Sequence, residues 1–214
     1  MEKKKFPGQI WELWRRSLID MDSKLKLIVD SLGLDRFKLD EPIKEHTFLK
    51  VGGPAKLFFI SFTTSELVKI VKMCRELKVP FFIFGSGSKI MISDLGFDGL
   101  VIKNRTKNIH TVSVKGKVSK IGIGVEEALI EVESGLSVAK FAEALDLQGL
   151  SSGEFSNIPG TIGGNLFVNR FLQMKAKSIK VLDRASYVEE IEVFELRSNL
   201  HIILSAVFKI KAKE

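Results

Sequence analysis

The 214-residue chain is 45% hydrophobic and 28% charged, which supports a buried core and excludes a disordered polymer. No apolar run approaches the roughly 20 residues that span a bilayer, and Met1–Asp20 lacks the apolar core and small-residue cleavage site of a secretory signal. The net charge of +7 comes from scattered lysines, with Lys3–Lys5 the one run, so it reads as a generally basic surface. A nucleic-acid or membrane-surface module is the alternative, but no zinc-finger spacing or RNP-type aromatic motif accompanies the charge.

In chain order, Trp11, Trp14 and Leu18 recur at helical spacing with Arg15 and Arg16 between them. That suits a docked helix or an extension ahead of a start at Met21, with an interfacial helix as the alternative. Lys24–Leu32 is predicted to be a helix ending at Gly33. Ala55–Phe62 is a predicted strand, and Thr63 with Glu66 forms a capping-box pattern opening a helix. Leu67, Ile70, Val71, Cys74 and Leu77 line one face of that helix, which places the single Cys74 in the core. A lone core cysteine forms no internal disulfide, and a reducing cytoplasm is the expected compartment.

Strands are predicted at Phe81–Phe84 and Leu100–Ile102, with β-like composition at Val112–Val114, Lys120–Ile123 and Ala128–Glu133. Ser137 should cap a second helix carrying Val138, Phe141, Ala142 and Leu145. Ile179–Leu182, a turn at Asp183-Arg184, Val188–Phe194 and His201–Ile210 complete a β-rich end. Strand meanders with few helices indicate an α+β fold.

Much familiar site chemistry is missing. His46, His110 and His201 have no Cys or carboxylate neighbours at metal-ligand spacing, so each is expected to be a turn or surface residue and no metal is expected. A nucleophile elbow and a Walker A loop are absent. What remains is two glycine-rich loops. In Phe84-Gly85-Ser86-Gly87-Ser88-Lys89, successive N–H groups, the two hydroxyls and Lys89 suit a diphosphate. A tight turn needing positive φ explains the same residues equally well. Pro159-Gly160-Thr161-Ile162-Gly163-Gly164 repeats these features ahead of a possible helix start. Together the loops suggest an extended diphosphate ligand without identifying it.

Several blocks together are similar to one family. His46-Thr47-Phe48-Leu49-Lys50-Val51-Gly52-Gly53-Pro54-Ala55 resembles the opening of the FAD domain of UDP-N-acetylenolpyruvoylglucosamine reductases, the MurB family. Phe82–Ser88 with Ser93–Ile102, then Gly149–Ser151, Glu154-Phe155 and Ile158–Gly164, and finally Leu196-Arg197-Ser198 with Ile202–Phe208 follow in that family's order. The resemblance implies a two-lobed FAD-binding domain of the vanillyl-alcohol-oxidase (PCMH) type over residues 23–214, with lobes near 23–104 and 105–214 and residues 1–22 as an extension. It implies FAD held by Phe84, Gly85, Ser86, Gly87, Ser88 and Lys89 at its diphosphate, and by Ile158, Pro159, Gly160, Thr161, Gly163 and Gly164 toward its flavin. It also implies NADPH as reductant, a UDP-sugar as substrate and Arg197 as the active-site arginine stabilising an enolate-like intermediate.

Departures from the family pattern qualify the activity. Lys89 stands where the family has Asn, Arg170-Phe171-Leu172 replaces a small-residue stretch, and Leu196 replaces Tyr. The family's substrate-binding part, with its serine acid and glutamate, has no counterpart in the sequence. The favoured expectation is therefore an FAD-binding flavoprotein incomplete for the reductase reaction on its own. The alternative is a working reductase completed by a missing or separate substrate domain.

Overall fold

Why the chain folds into two sheets is visible in its computed structural model, which describes residues 22–119 and 122–213. The expectation for Trp11 and Trp14 lies outside those residues. Helix α1 (Ser23–Leu32) starts where the Asp22 side chain accepts a hydrogen bond from Lys24 N–H at 3.0 Å, and ends at Gly33 with φ +93°. Helix α2 (Thr64–Glu76) is capped by Thr63, whose hydroxyl accepts from Glu66 N–H. The Glu66 carboxylate reaches back to Phe62 N–H, one residue before the cap.

The first sheet has the order β1-β2-β4-β3, with β1 Phe37–Pro42, β2 Pro54–Ser61, β3 Phe81–Phe84 and β4 Phe97–Asn104. Strand β1 runs antiparallel to β2, while β2, β4 and β3 are parallel, as the α2 crossover requires. One face packs Leu57, Phe59, Leu100 and Ile102 beneath Leu25, Ile28 and Val29 of α1 and Leu67, Ile70, Val71 and Cys74 of α2. Its other face carries Ala55, Phe58, Phe84 and Val101 under Ile43, Ile90 and Ile92.

The second sheet is fully antiparallel, β5-β6-β9-β7-β8, from β5 Ile109–Ser119, β6 Gly122–Glu133, β7 Ala176–Leu182, β8 Val188–Ile191 and β9 Ile202–Lys211. It packs Ile130, Val132, Ile179, Val181 and Phe208 against α3 (Val138–Leu147), α4 (Ile162–Leu166) and α5 (Arg170–Lys175). Phe141, Phe155 and Phe208 meet at ring-centroid distances of 5.3 to 5.8 Å. Leu182 and Leu204 leave this sheet to join the first sheet's core, and Thr64 donates across to Glu133 at 2.6 Å.

Three local expectations need correction. The three short β-like segments between 112 and 133 are one long hairpin, in which Gly116 sits at a register shift of the pairing rather than at a break. Strand β1 was not predicted, because only Phe37 of it is fully buried and the other positions of this edge strand alternate between exposed and half-buried. Helix α5 was not predicted either. It exists because the Asn169 side chain accepts from Leu172 N–H at 3.1 Å, Leu172 is fully buried, and Phe171 packs on Phe155.

Candidate functional site

The two glycine loops, about 75 residues apart in sequence, face each other across the seam between the sheets. Between them lie two adjoining cavities of about 300 Å3 and 210 Å3. Both are lined by Phe84, Gly85, Thr161 and Gly164. The smaller adds Ser86, Gly87, Ser88, Lys89, Gly160 and Asn165. The larger runs past Asn104, Ser134, Phe167 and His201. Ile158 and Pro159 line neither; Ile158 packs on the second core, and Pro159 lends its carbonyl to Asn165.

Strand β3 ends at Phe84, and the chain turns through Gly87 at φ +72°. Gly87 is boxed in by protein, since an added Cβ would sit 2.5 Å from the His46 carbonyl oxygen and 2.9 Å from Thr47 Cα. A Cβ on Gly85 would overlap the Thr161 side chain. These glycines therefore serve loop-to-protein packing, the tight-turn reading of the sequence. Among the described residues, the N–H groups of Ser86, Gly87, Ser88 and Lys89 donate to no protein acceptor. A run of unpartnered amides beside a cavity fits an anion such as a diphosphate.

The second loop is different. Thr161 caps α4, accepting from Gly164 N–H at 3.4 Å, while Ile162 and Gly163 N–H donate to Leu136 and Ser134 carbonyls at 2.9 Å. Three of its amides are thus paired, while among the described residues the Gly160 and Thr161 N–H groups donate to no protein acceptor, so this loop offers fewer free amides than the first. Gly164 alone offers open space, for a Cβ there would meet only Thr161 Oγ1, at 3.5 Å.

Asn165 joins the loops and was missed in the sequence. It is buried, donates from Nδ2 to the Pro159 and Thr161 carbonyls at 2.9 and 3.0 Å, and accepts from Lys89 Nζ at 2.8 Å. Its signal was a polar residue set among Ile162, Leu166 and the glycines. In the larger cavity wall, buried Asn104 donates to Ser134 Oγ at 2.8 Å and accepts from Thr106 N–H.

Arg197 is exposed and turned onto its own loop. Its Nη1 donates to the Phe194 and Leu196 carbonyls at 2.6 and 3.0 Å, and it lines neither cavity. The histidine expectation holds for exposed His110. His46 does close the short 3-10 turn Ile43–His46, although it is only 15% exposed and stacks on Phe58 at 4.3 Å, whereas the expectation fails for His201, 12% exposed in the cavity wall. Aromatic stacking and the seam bury what isolated polar residues in the sequence did not reveal. Among the described residues no helix is long and apolar enough to cross a membrane.

A family model described as an FAD binding domain matches residues 55–178. The chain is 30% identical over 184 residues to a UDP-N-acetylenolpyruvoylglucosamine reductase of Alkaliphilus metalliredigens, covering 83% of this chain and 57% of that protein. It is 34% identical over 145 residues to the enzyme of the same name from Syntrophomonas wolfei, covering 66% and 44%. The chain thus spans about half the length of the curated relatives it matches. Among solved structures, an alkyldihydroxyacetonephosphate synthase shares the fold at TM-score 0.60 and 17% identity, over 90% of this chain and 41% of that one.

Proposed function

This chain belongs to the FAD-binding domain family, and from that premise we propose that it holds FAD in the seam between Phe84–Lys89 and Ile158–Gly164. The unpartnered amides of Ser86–Lys89 carry this reading. They would take the diphosphate, with the Ser86 and Ser88 hydroxyls adding donors and Lys89 adding charge. Gly160, Thr161, Gly163 and Gly164, with Ile158 and Pro159 supporting the loop, would border the flavin end. Bound FAD supplies hydride chemistry, while the residues of the chain bind, orient and exclude water.

The similarity to UDP-N-acetylenolpyruvoylglucosamine reductases supports an oxidoreductase role in the cytoplasm, with NADPH as donor and a UDP-sugar as acceptor. Arg197 is the residue of this chain offered for that reaction. Since its guanidinium rests on the Phe194 and Leu196 carbonyls, reaching the substrate requires it to leave them. A separate polypeptide carrying the substrate domain would complete the reaction in the second reading.

The test is an absorption spectrum of the purified protein after FAD is added and the excess removed. A retained, perturbed flavin band is expected. NADPH bleaching that quickens with the UDP-sugar would support the reductase role. A colourless protein would overturn the assignment of the loops.

A further inference from the structure

The larger seam cavity, of about 300 Å3, carries a polar pair outside the glycine loops. Its walls are mostly apolar, formed by Phe81, Ile83, Phe84, Phe167, Ile202 and Ile203. Asn104, the last residue of β4, and Ser134, just after β6, also line it, and both are buried. Asn104 Nδ2 donates to Ser134 Oγ at 2.8 Å. Its Oδ1 accepts from Thr106 N–H at 3.0 Å, which fixes the orientation of the amide. The backbone pins the pair in place. Ser134 N–H donates to the Leu204 carbonyl at 2.8 Å, and the Ser134 carbonyl accepts from Gly163 N–H at 2.9 Å. A Cβ on Gly135 would sit 2.6 Å from Asn104 Oδ1, so glycine there admits the amide.

Hydrogen-bond capacity is left over. Ser134 Oγ accepts from Asn104 but still has its O–H to donate, and Asn104 Nδ2 has a second N–H. Among the described residues neither finds a protein acceptor. Of the other polar side chains in the lining, Thr161 accepts from Gly164 N–H and His201 Nδ1 from Arg197 N–H, while Ser198 is exposed. The bland explanation is a buried network that ties β4 to β6, with water satisfying the spare donors. It accounts for the pair but not for the apolar-walled space the pair faces, which adjoins the unpartnered amides of Ser86–Lys89.

We infer that Ser134 and Asn104 read the edge of a flat heteroaromatic ring in the larger cavity, by donating to acceptors on that ring. The inference rests on the FAD reading, since the ring belongs to the molecule whose diphosphate the glycine loop holds. Apolar walls suit the faces of such a ring, and two adjacent spare donors call for acceptors along its edge. Both ring systems of FAD have such an edge, in the adenine nitrogens and in the carbonyl oxygens of isoalloxazine. The shared chemistry is a planar nitrogen heterocycle with an acceptor edge.

The affinities of FAD, FMN and ADP would be measured calorimetrically for the full chain and for Ser134→Ala, which removes the donor with little change in volume. With adenine in the cavity, Ser134→Ala weakens FAD and ADP about tenfold and leaves FMN within about twofold. With isoalloxazine there, FAD and FMN weaken and ADP does not. The exposed control Ser113→Ala should leave all three unchanged.

FAD affinity that is the same in Ser134→Ala as in the unaltered chain would overturn the ring subsite alone. Equal weakening of FMN and ADP would overturn it too, as a general distortion of the seam. Melting curves without ligand separate lost binding from lost folding. Should Ser134→Ala unfold, Ser134→Cys, a weaker donor of similar shape, repeats the test. An unaltered chain that binds ADP through Ser134 but no flavin would sink the FAD reading and leave the ring subsite standing. One that binds none of the three would sink both.

Discussion

Lys89 Nζ and Asn165 Oδ1, separated by 76 positions in the chain, meet at 2.8 Å and join the two glycine loops. Asn165 is the more demanding partner because it is buried and also braces two carbonyls. Asn165→Ala should cost about 1–3 kcal/mol in a urea melt, by leaving buried acceptors unpaired. Lys89→Met, at an exposed position, should cost under about 1 kcal/mol. Both should weaken FAD in a fluorescence titration, and an Asn165→Ala protein of unchanged stability would contradict the bracing role.

Glycine substitutions separate packing from ligand approach. Gly87→Val combines positive φ with overlap on the His46–Thr47 backbone, so it should destabilise the fold by roughly 2–4 kcal/mol and lose FAD with it. Gly164→Ala meets only an ordinary contact, leaving the melting temperature nearly unchanged. Reduced FAD affinity in that stable variant would locate the ligand against Gly164, and unchanged affinity would place it elsewhere.

Arg197→Ala removes an exposed side chain bonded only to its own loop. Stability should change by under about 0.5 kcal/mol, and FAD retention should stay within twofold. The rate of flavin reduction or reoxidation, followed by stopped-flow absorbance, should change if the guanidinium reaches the reacting centre. Identical traces would leave it a surface residue.

The C-terminal strands of the second sheet, though not their pairing, were readable from composition, because segments such as His201–Ile210, carrying Ile202, Ile203, Val207 and Ile210, favour extended backbone. The capped helices were legible for a similar reason: Thr63 and Ser137 precede apolar stripes of period 3.6. The long hairpin was not, since Gly116 looks like punctuation until a partner strand absorbs it as a register shift. For the site, the loops were legible but their division of labour was not. Whether an amide is free depends on Leu136 and Ser134, residues brought to the second loop only by tertiary folding.

Acid should unfold the protein partly through Glu131. The Ser205 hydroxyl, ahead of Lys180, outweighs burial and holds this carboxyl below the usual value of 4.5. A carboxyl held lower in the folded than in the unfolded chain contributes stability above its unfolded value and loses it as pH falls through the folded one. Glu131→Gln should therefore lower stability at neutral pH and make its decline below pH 4.5 shallower. Parallel acid limbs for the two proteins, by circular dichroism, would exclude this contribution.

Burial pushes the Cys74 thiol up to about 12. Iodoacetamide at neutral pH should leave it unlabelled in the native protein and label it as urea unfolds the chain. Labelling before the circular-dichroism transition would reveal local opening of α2.

Leu182 and Leu204 belong by strand to one sheet and by packing to the other. They tie the two sheets into one core, so the sheets share buried surface that neither covers alone. Cutting the chain after Asn104 would leave one fragment with an uncovered α2 face and the other with two stranded leucines, and neither should fold without its counterpart.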